Sequence, residues 1–240
     1  MSARTLIAAG RELADELRPL RFTDPVTHTY LTLDYAAAGY EAYLEKFGAT
    51  RKRVLLLGMN PGPYGMAQTG VPFGEVAAVR DWMGLNPEIG KPADEHSKRK
   101  ILGMACPKSE VSGRRLWGLF AEKFPNAEDF FTDYLVINFC PLVWMKDTGA
   151  NLTPDKIRAA EMAAVDAACQ QHLRRVVEVL APEFLIGVGG YAEGQMIAAK
   201  EALGIVAGTG KILHPSPASP AANRGWAEVA ERQLREMGVW

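Results

Sequence analysis

The chain has 240 residues, 48% of them hydrophobic and 23% charged, with a formal net charge of −1. That is enough apolar material for one full-sized globular core, so 1–240 is expected to be a single domain. No apolar run approaches the roughly 20 residues that cross a bilayer. The near-zero net charge excludes a globally basic nucleic-acid binder, although Lys91–Lys123 holds eight basic residues against four acids.

The N-terminal segment carries Leu6, Ile7, Leu13 and Leu17 at helical spacing, which predicts a helix over 3–18, ended by Pro19. It lacks the apolar core of a signal peptide, so a cytoplasmic protein is the expectation, near the nucleoid in a bacterium or in the nucleus of a eukaryote. A second helix is predicted over 34–47. Arg53-Val-Leu-Leu-Leu57 reads as a buried strand. The loop Gly58-Met-Asn-Pro-Gly-Pro-Tyr-Gly-Met66 follows, stiffened by proline and opened by glycine, as suits a pocket wall. A short helix is predicted at about 75–83, and 84–113 reads mostly as loop. Ser112 is placed to cap a helix through Leu116, Trp117, Leu119 and Phe120. A second strand spans 133–138.

Asn151-Leu-Thr-Pro154 predicts the start of a long helix to about Leu180, capped by Thr153. A third strand follows at 183–188, a helix at 191–202, a short fourth strand at 210–214, and a last helix from Ser219 to about Met237. Strands alternating with helices predict an α/β fold: a parallel sheet between two helical layers, α/β/α.

Asn60, Asn138 and His214 then fall near the carboxyl ends of three strands, the edge at which open α/β sheets bind ligands. Each alone reads as a turn former or surface residue; the three together suggest one pocket. Val71-Pro-Phe-Gly74 holds Phe73 between proline and glycine, where it can stack on a planar ring. Gly187-Val-Gly-Gly-Tyr-Ala192 matches a dinucleotide fingerprint, but the acid expected about 20 residues later is absent, so a tight strand–helix turn is the better reading. Cys106, Cys140 and Cys169 form no metal-binding spacing and are expected to be buried thiols. No P-loop or GxSxG elbow occurs.

Gly58-Met-Asn-Pro-Gly62, Gly70-Val-Pro-Phe-Gly-Glu75, Ser109-Glu-Val-Ser-Gly113, Asn138-Phe-Cys-Pro-Leu142, His214-Pro-Ser-Pro217 and Ala222-Asn-Arg-Gly-Trp226 together resemble the single-strand-selective monofunctional uracil-DNA glycosylases. The resemblance implies the uracil-DNA glycosylase fold, with a four-stranded parallel sheet. It also implies cleavage of the N-glycosidic bond of uracil, and of 5-hydroxymethyluracil and related oxidised uracils, in single- and double-stranded DNA. No metal or other cofactor is implied, the partner is damaged DNA, and a monomer is the family expectation.

Carried onto this chain, the resemblance gives catalytic roles to Asn60 (positioning water) and His214 (bonding uracil O2). Met59, Gly62, Tyr64, Phe73 and Asn138 would hold the base. Thr148, Gly149 and Asn151 would form one DNA-facing loop, and Ser216, Pro217, Asn223 and Arg224 a wedge. Ala218 stands where relatives often carry a basic residue, and Tyr64 replaces a more usual Phe. A module that binds modified bases without cleaving them is the alternative.

Overall fold

The computed structural model describes residues 2–240. Helix α1 (Ser2–Leu17) leads to strand β1 (His28–Leu31), one-turn α2 (Thr32–Tyr35) and α3 (Ala37–Phe47). Strand β2 (Val54–Gly58) enters the Gly/Pro loop, one-turn α4 (Met66–Thr69), a π-type turn at Ala78–Trp82 and a 3-10 turn at Gly103–Ala105. Then come α5 (Val111–Lys123), α6 (Ala127–Asp133), β3 (Tyr134–Asn138), β4 (Leu142–Met145) and β5 (Asn151–Leu152). The chain ends with α7 (Ala159–Leu180), β6 (Phe184–Val188), α8 (Gly190–Leu203), β7 (Gly208–Ile212) and α9 (Trp226–Glu236).

Four strands make the predicted parallel sheet, in the order β3-β2-β6-β7. Val54, Leu55, Leu56 and Leu57 are each 0% exposed, so β2 is covered on both faces, which is why it reads as an unbroken apolar run. Helix α8 packs along β6 and β7 and against α7, which lies on α1, while α9 packs on β7 and α5. The outer edge of β3 is closed by Tyr43 of α3. Its hydroxyl accepts from the Val136 amide at 3.2 Å and donates to the Val136 carbonyl at 3.0 Å. At the other edge, β7 presents Thr209 and Lys211 to solvent.

The parallel register brings the strand ends level: Gly58 lies opposite Asn138, and Val188 opposite Ile212. Gly187 is also explained by packing. A Cβ there would sit 2.2 Å from the Glu193 amide nitrogen, so α8 could not dock so closely on β6. At the fingerprint's missing-acid position, Lys211 instead bonds Glu193 at 2.7 Å. The three cysteines are free and buried.

Several expected boundaries move. The helix expected over 34–47 is split at Ala36 into α2 and α3. The long helix begins at Ala159, not at Thr153. Pro154–Lys156 make a separate 3-10 turn, because Ile157 and Arg158 take extended backbone before α7 starts. Ser112 lies inside α5, whose N-cap is Glu110. The fourth strand ends at Ile212, leaving His214 on the loop beyond it, and the last helix begins at Trp226 because Gly225 has φ +115°. A three-stranded antiparallel sheet, order β1-β4-β5, is wholly new, as is α6. That sheet buries a small second cluster of Tyr30, Ala67, Ile101, Val143 and Met145, which supports the loops beside the main sheet's carboxyl edge.

Candidate functional site

A cavity of about 220 Å³ opens at the carboxyl edge of the main sheet. Met59, Asn60, Gly62, Phe73, Asn138 and His214 all line it, with Asn151, Ser216 and Pro217 also in its wall. Six of the seven residues expected to act on the base or the reaction therefore meet in one space. The seventh, Tyr64, lies outside this lining. Its ring has the Arg99 guanidinium 5.4 Å and the Lys108 ammonium 4.9 Å from the centroid.

Asn60 is half-buried on the Gly/Pro loop. Its Nδ2 donates to the Leu142 carbonyl at 3.2 Å. That bond fixes the amide's orientation, and among the described residues no donor meets Oδ1, which is left as an acceptor. Asn138 is the last residue of β3. Among the described residues the one hydrogen bond of its Nδ2 is to the Met66 thioether, a weak acceptor, at 3.2 Å, and its Oδ1 is buried without a partner. An unmet buried acceptor costs about 1–3 kcal/mol, a cost that a bound donor would remove. Gly58 makes this arrangement possible. A Cβ there would lie 2.2 Å from Asn138 Oδ1 and 2.5 Å from the Phe73 ring. Phe73 itself holds φ +52°, a strained conformation for an aromatic residue. The surrounding turn is pinned by Thr69, whose hydroxyl donates to the Gly74 carbonyl at 2.9 Å, and by Trp117, whose indole donates to the Pro72 carbonyl at 3.2 Å.

His214 Nδ1 accepts the Ser216 backbone N–H at 3.1 Å. A backbone amide can only donate, so the neutral ring carries its proton on Nε2. Burial lowers the imidazole's pKa below the ordinary histidine value, which keeps the ring neutral at neutral pH. The ring centroid lies 6.3 Å from that of Phe73. The loop is held from two sides. The Trp226 indole donates to the Leu213 carbonyl at 2.6 Å and Gln233 Oε1 accepts the Leu213 amide at 2.7 Å, both from α9. From α5, Arg115 donates to the Pro215 carbonyl at 2.9 Å and to Asn223 Oδ1 at 2.8 Å.

The sequence from 45 to 235 matches the family described as the uracil DNA glycosylase superfamily. The chain belongs to that superfamily. The single-strand selective monofunctional uracil DNA glycosylase of Bos taurus is 44% identical over 227 residues, covering 95% of this chain and 84% of that protein. The protein of the same description from Rattus norvegicus is 43% identical over 224 residues, covering 93% and 81%. The crystal structure of wild-type Pedobacter heparinus SMUG2 aligns with a TM-score of 0.67 at 16% identity, over 96% of this chain and 97% of that one, a likeness of fold.

Within this glycosylase fold, the expected DNA-facing residues divide. Asn151, Ser216 and Pro217 reach the cavity. Thr148 and Gly149 sit on the turn between β4 and β5, and Arg224 is exposed at the end of a 3-10 turn, all outside the lining. Asn223 is built into the loop: besides receiving Arg115, its Nδ2 donates to the Pro217 carbonyl at 2.8 Å. The tip beside it, Pro217 and Ala218, is exposed.

Sequence reasoning missed Glu110, which lines the cavity from the N-cap of α5. Its Oε2 accepts the Tyr64 amide at 3.3 Å, so the Gly/Pro loop wraps around this carboxylate. Burial raises its pKa, partly countered by the loop amides. The signal was present: an acid at the start of a helix, where the dipole favours it, inside one of the family's blocks. Arg115 and Trp226 were missed because their bonds go to carbonyls more than ten residues away. A larger groove of about 650 Å³ lies between α1, β1 and the segment 91–94. It gathers no comparable set; its Arg18 is tied to Asp15 and Asp34.

Among the described residues no helix is long and apolar enough to cross a membrane, and no cluster of acids, histidines and cysteines could hold a metal.

Proposed function

We propose that this protein excises uracil from DNA by hydrolysing the N-glycosidic bond, leaving an abasic site. The observation that carries the reading is the His214 geometry: a neutral ring with Nε2–H as its remaining donor, on the wall of a cavity shared with Asn60, Asn138 and Phe73.

A base in a duplex must leave the stack to enter such a cavity. Phe73 would stack on it, and Met59 and Gly62 would close the wall around it. Asn138 would read its edge, Oδ1 accepting uracil N3–H and Nδ2 donating to O4. Cytosine presents the reverse pattern and would leave buried groups unpaired.

In the reaction the bond between C1′ and N1 breaks and its electron pair leaves with uracil. His214 Nε2–H donates to O2 as negative charge gathers there, a role worth on the order of 3–4 kcal/mol. Being neutral, it stabilises the anion without protonating it. The sugar cation left behind is captured by a water held on Asn60 Oδ1, and the water's proton passes to solvent. An amide is too weak a base to deprotonate water first, so the transition state is dissociative. Ser216, Pro217 and Arg224 would press into the DNA, with Thr148, Gly149 and Asn151 across from them.

Tyr64 stands outside the lining, so no tyrosine ring narrows the cavity, which supports admission of 5-hydroxymethyluracil. The test is a panel of labelled oligonucleotides carrying uracil or 5-hydroxymethyluracil, single-stranded and duplex, treated with hot alkali after incubation. Strand scission at both bases is expected. Binding without scission would replace this reading with that of a non-cleaving base-binding module.

A further inference from the structure

The basic run between Lys91 and Lys123 and the unusual Tyr64 meet at one place. Arg99 Nη1 and Lys108 Nζ both donate to the Tyr64 hydroxyl, the latter at 3.2 Å. A phenol oxygen has two acceptor sites, and both are used. Its own O–H then points to no acceptor among the described residues. Neither cation has an ion-pair partner there either. Glu110, on the same loop wall, turns its carboxylate to the loop amides. Two cations and one hydroxyl donor therefore converge, and among the described residues no anion answers them.

The cluster is fixed to the wall of the cavity. Tyr64 shares its loop with Asn60 and Gly62. Arg99 Nε donates to the Gly149 carbonyl at 2.6 Å, holding the turn that precedes Asn151 and Thr153 of the lining. His96 Nε2 meets the Asp147 carbonyl at 3.1 Å and steadies the same turn. Lys108 is exposed, and among the described residues its side chain bonds no group other than Tyr64.

We propose that Tyr64, Arg99 and Lys108 form a phosphodiester-binding site that grips the DNA backbone beside the extruded nucleotide. The inference rests on the cavity being the base pocket. A diester oxygen would receive the Tyr64 O–H and charge-assisted bonds from the two cations. A phenylalanine at position 64 would supply neither the bridge between the cations nor the third donor.

The test is equilibrium binding, by fluorescence anisotropy, to an oligonucleotide carrying a non-cleavable uracil analogue, measured against salt. Lys108→Ala should weaken binding about fivefold to tenfold at low salt. It should also flatten the slope of log affinity against log salt by about 0.7 for single strands or 0.9 for duplex, the signature of one lost phosphate contact. Tyr64→Phe should weaken binding less and keep the slope. Lys91→Ala, in the same run but outside the cluster, should match the wild type. Replacing one linkage near the analogue by an uncharged methylphosphonate should reproduce the Lys108→Ala loss in the wild type and add nothing in the variant. A wild-type slope for Lys108→Ala in a protein of unchanged melting temperature would overturn the site, as would additive losses at every linkage. Because the readout is binding, it stands apart from base release: loss of release with an intact slope would instead strike at the pocket chemistry.

Discussion

Gly62→Ala isolates the contact between the Gly/Pro loop and Glu110. A Cβ on Gly62 would lie 2.0 Å from Oε1, 2.4 Å from Oε2 and 2.5 Å from Cδ of that carboxylate. Those separations need about an ångström or more of movement to become ordinary contacts. Glu110 is held by the Tyr64 amide, so the carboxylate must break its bond or the loop must shift. Overpacking of this kind costs about 1–3 kcal/mol, and about 2–4 °C of melting temperature for each kcal/mol in a chain of this size. The loop carries Asn60, and a misplacement of about 1 Å at a reacting group can cost roughly a hundredfold in rate. Glu110→Ala leaves loop amides unpaired and should itself cost about 1–3 kcal/mol. It also removes the three atoms nearest the new Cβ. The double variant should therefore be about as stable as Glu110→Ala alone, a coupling of about 1–3 kcal/mol. Thermal melts of the four proteins, with single-turnover uracil release, read this directly. Additive melting losses, or a Gly62→Ala protein with wild-type stability and rate, would refute the packing argument.

His172 and Arg115 give two further tests. His172 of α7 meets the Ala9 carbonyl of α1 at 3.2 Å, and burial lowers its pKa from 6.5 to about 4. The folded state binds fewer protons than the unfolded one, so this contribution is complete above pH 6.5 and is lost as pH falls from 6.5 towards 4. A shift of that size corresponds to on the order of 3 kcal/mol. Denaturant unfolding at pH 7.5 and pH 4 should show the loss, and His172→Gln should show less of it; an equal loss in both would contradict the assignment. Arg115→Ala should lower single-turnover release about tenfold while changing the melting temperature by only a few degrees, since it frees the His214 loop but leaves the α9 anchors in place. An unchanged rate would show that Trp226 and Gln233 suffice to hold the loop.

Strands β2, β3 and β6 of the main sheet were legible because they are buried along nearly their whole length and so appear as apolar runs, whereas the edge strand β7, Gly208–Ile212, is mostly exposed and was placed two residues too late. The antiparallel sheet was not legible. Strand β5 has two residues, and β4 follows Pro141 directly, so Leu142–Met145 shows no alternation to separate it from a loop. Thr153 and Pro154 carry a sound helix-start signal, but the turn they begin stops after three residues and α7 opens later without a side-chain cap. At the site, the residues that face the cavity could be read from motif and strand position. The supports could not. Arg115 grips Pro215 and Asn223, Trp226 grips Leu213, and Arg99 grips Gly149, all across sequence distances that no local pattern encodes. Tyr64 shows the same limit. Its place in the loop is plain from the sequence, while its direction is set by Arg99 and Lys108, which lie 35 and 44 residues away.

The central claim is that Asn60 and His214 carry the chemistry from one cavity. Its most direct test is single-turnover release of uracil from a single-stranded oligonucleotide by the wild type, Asn60→Ala and His214→Ala, each checked for native melting. Release at least about tenfold slower in each variant, with the fold intact, is the predicted result, in keeping with the transition-state stabilisation assigned to these groups. Wild-type rates in both variants would contradict the account.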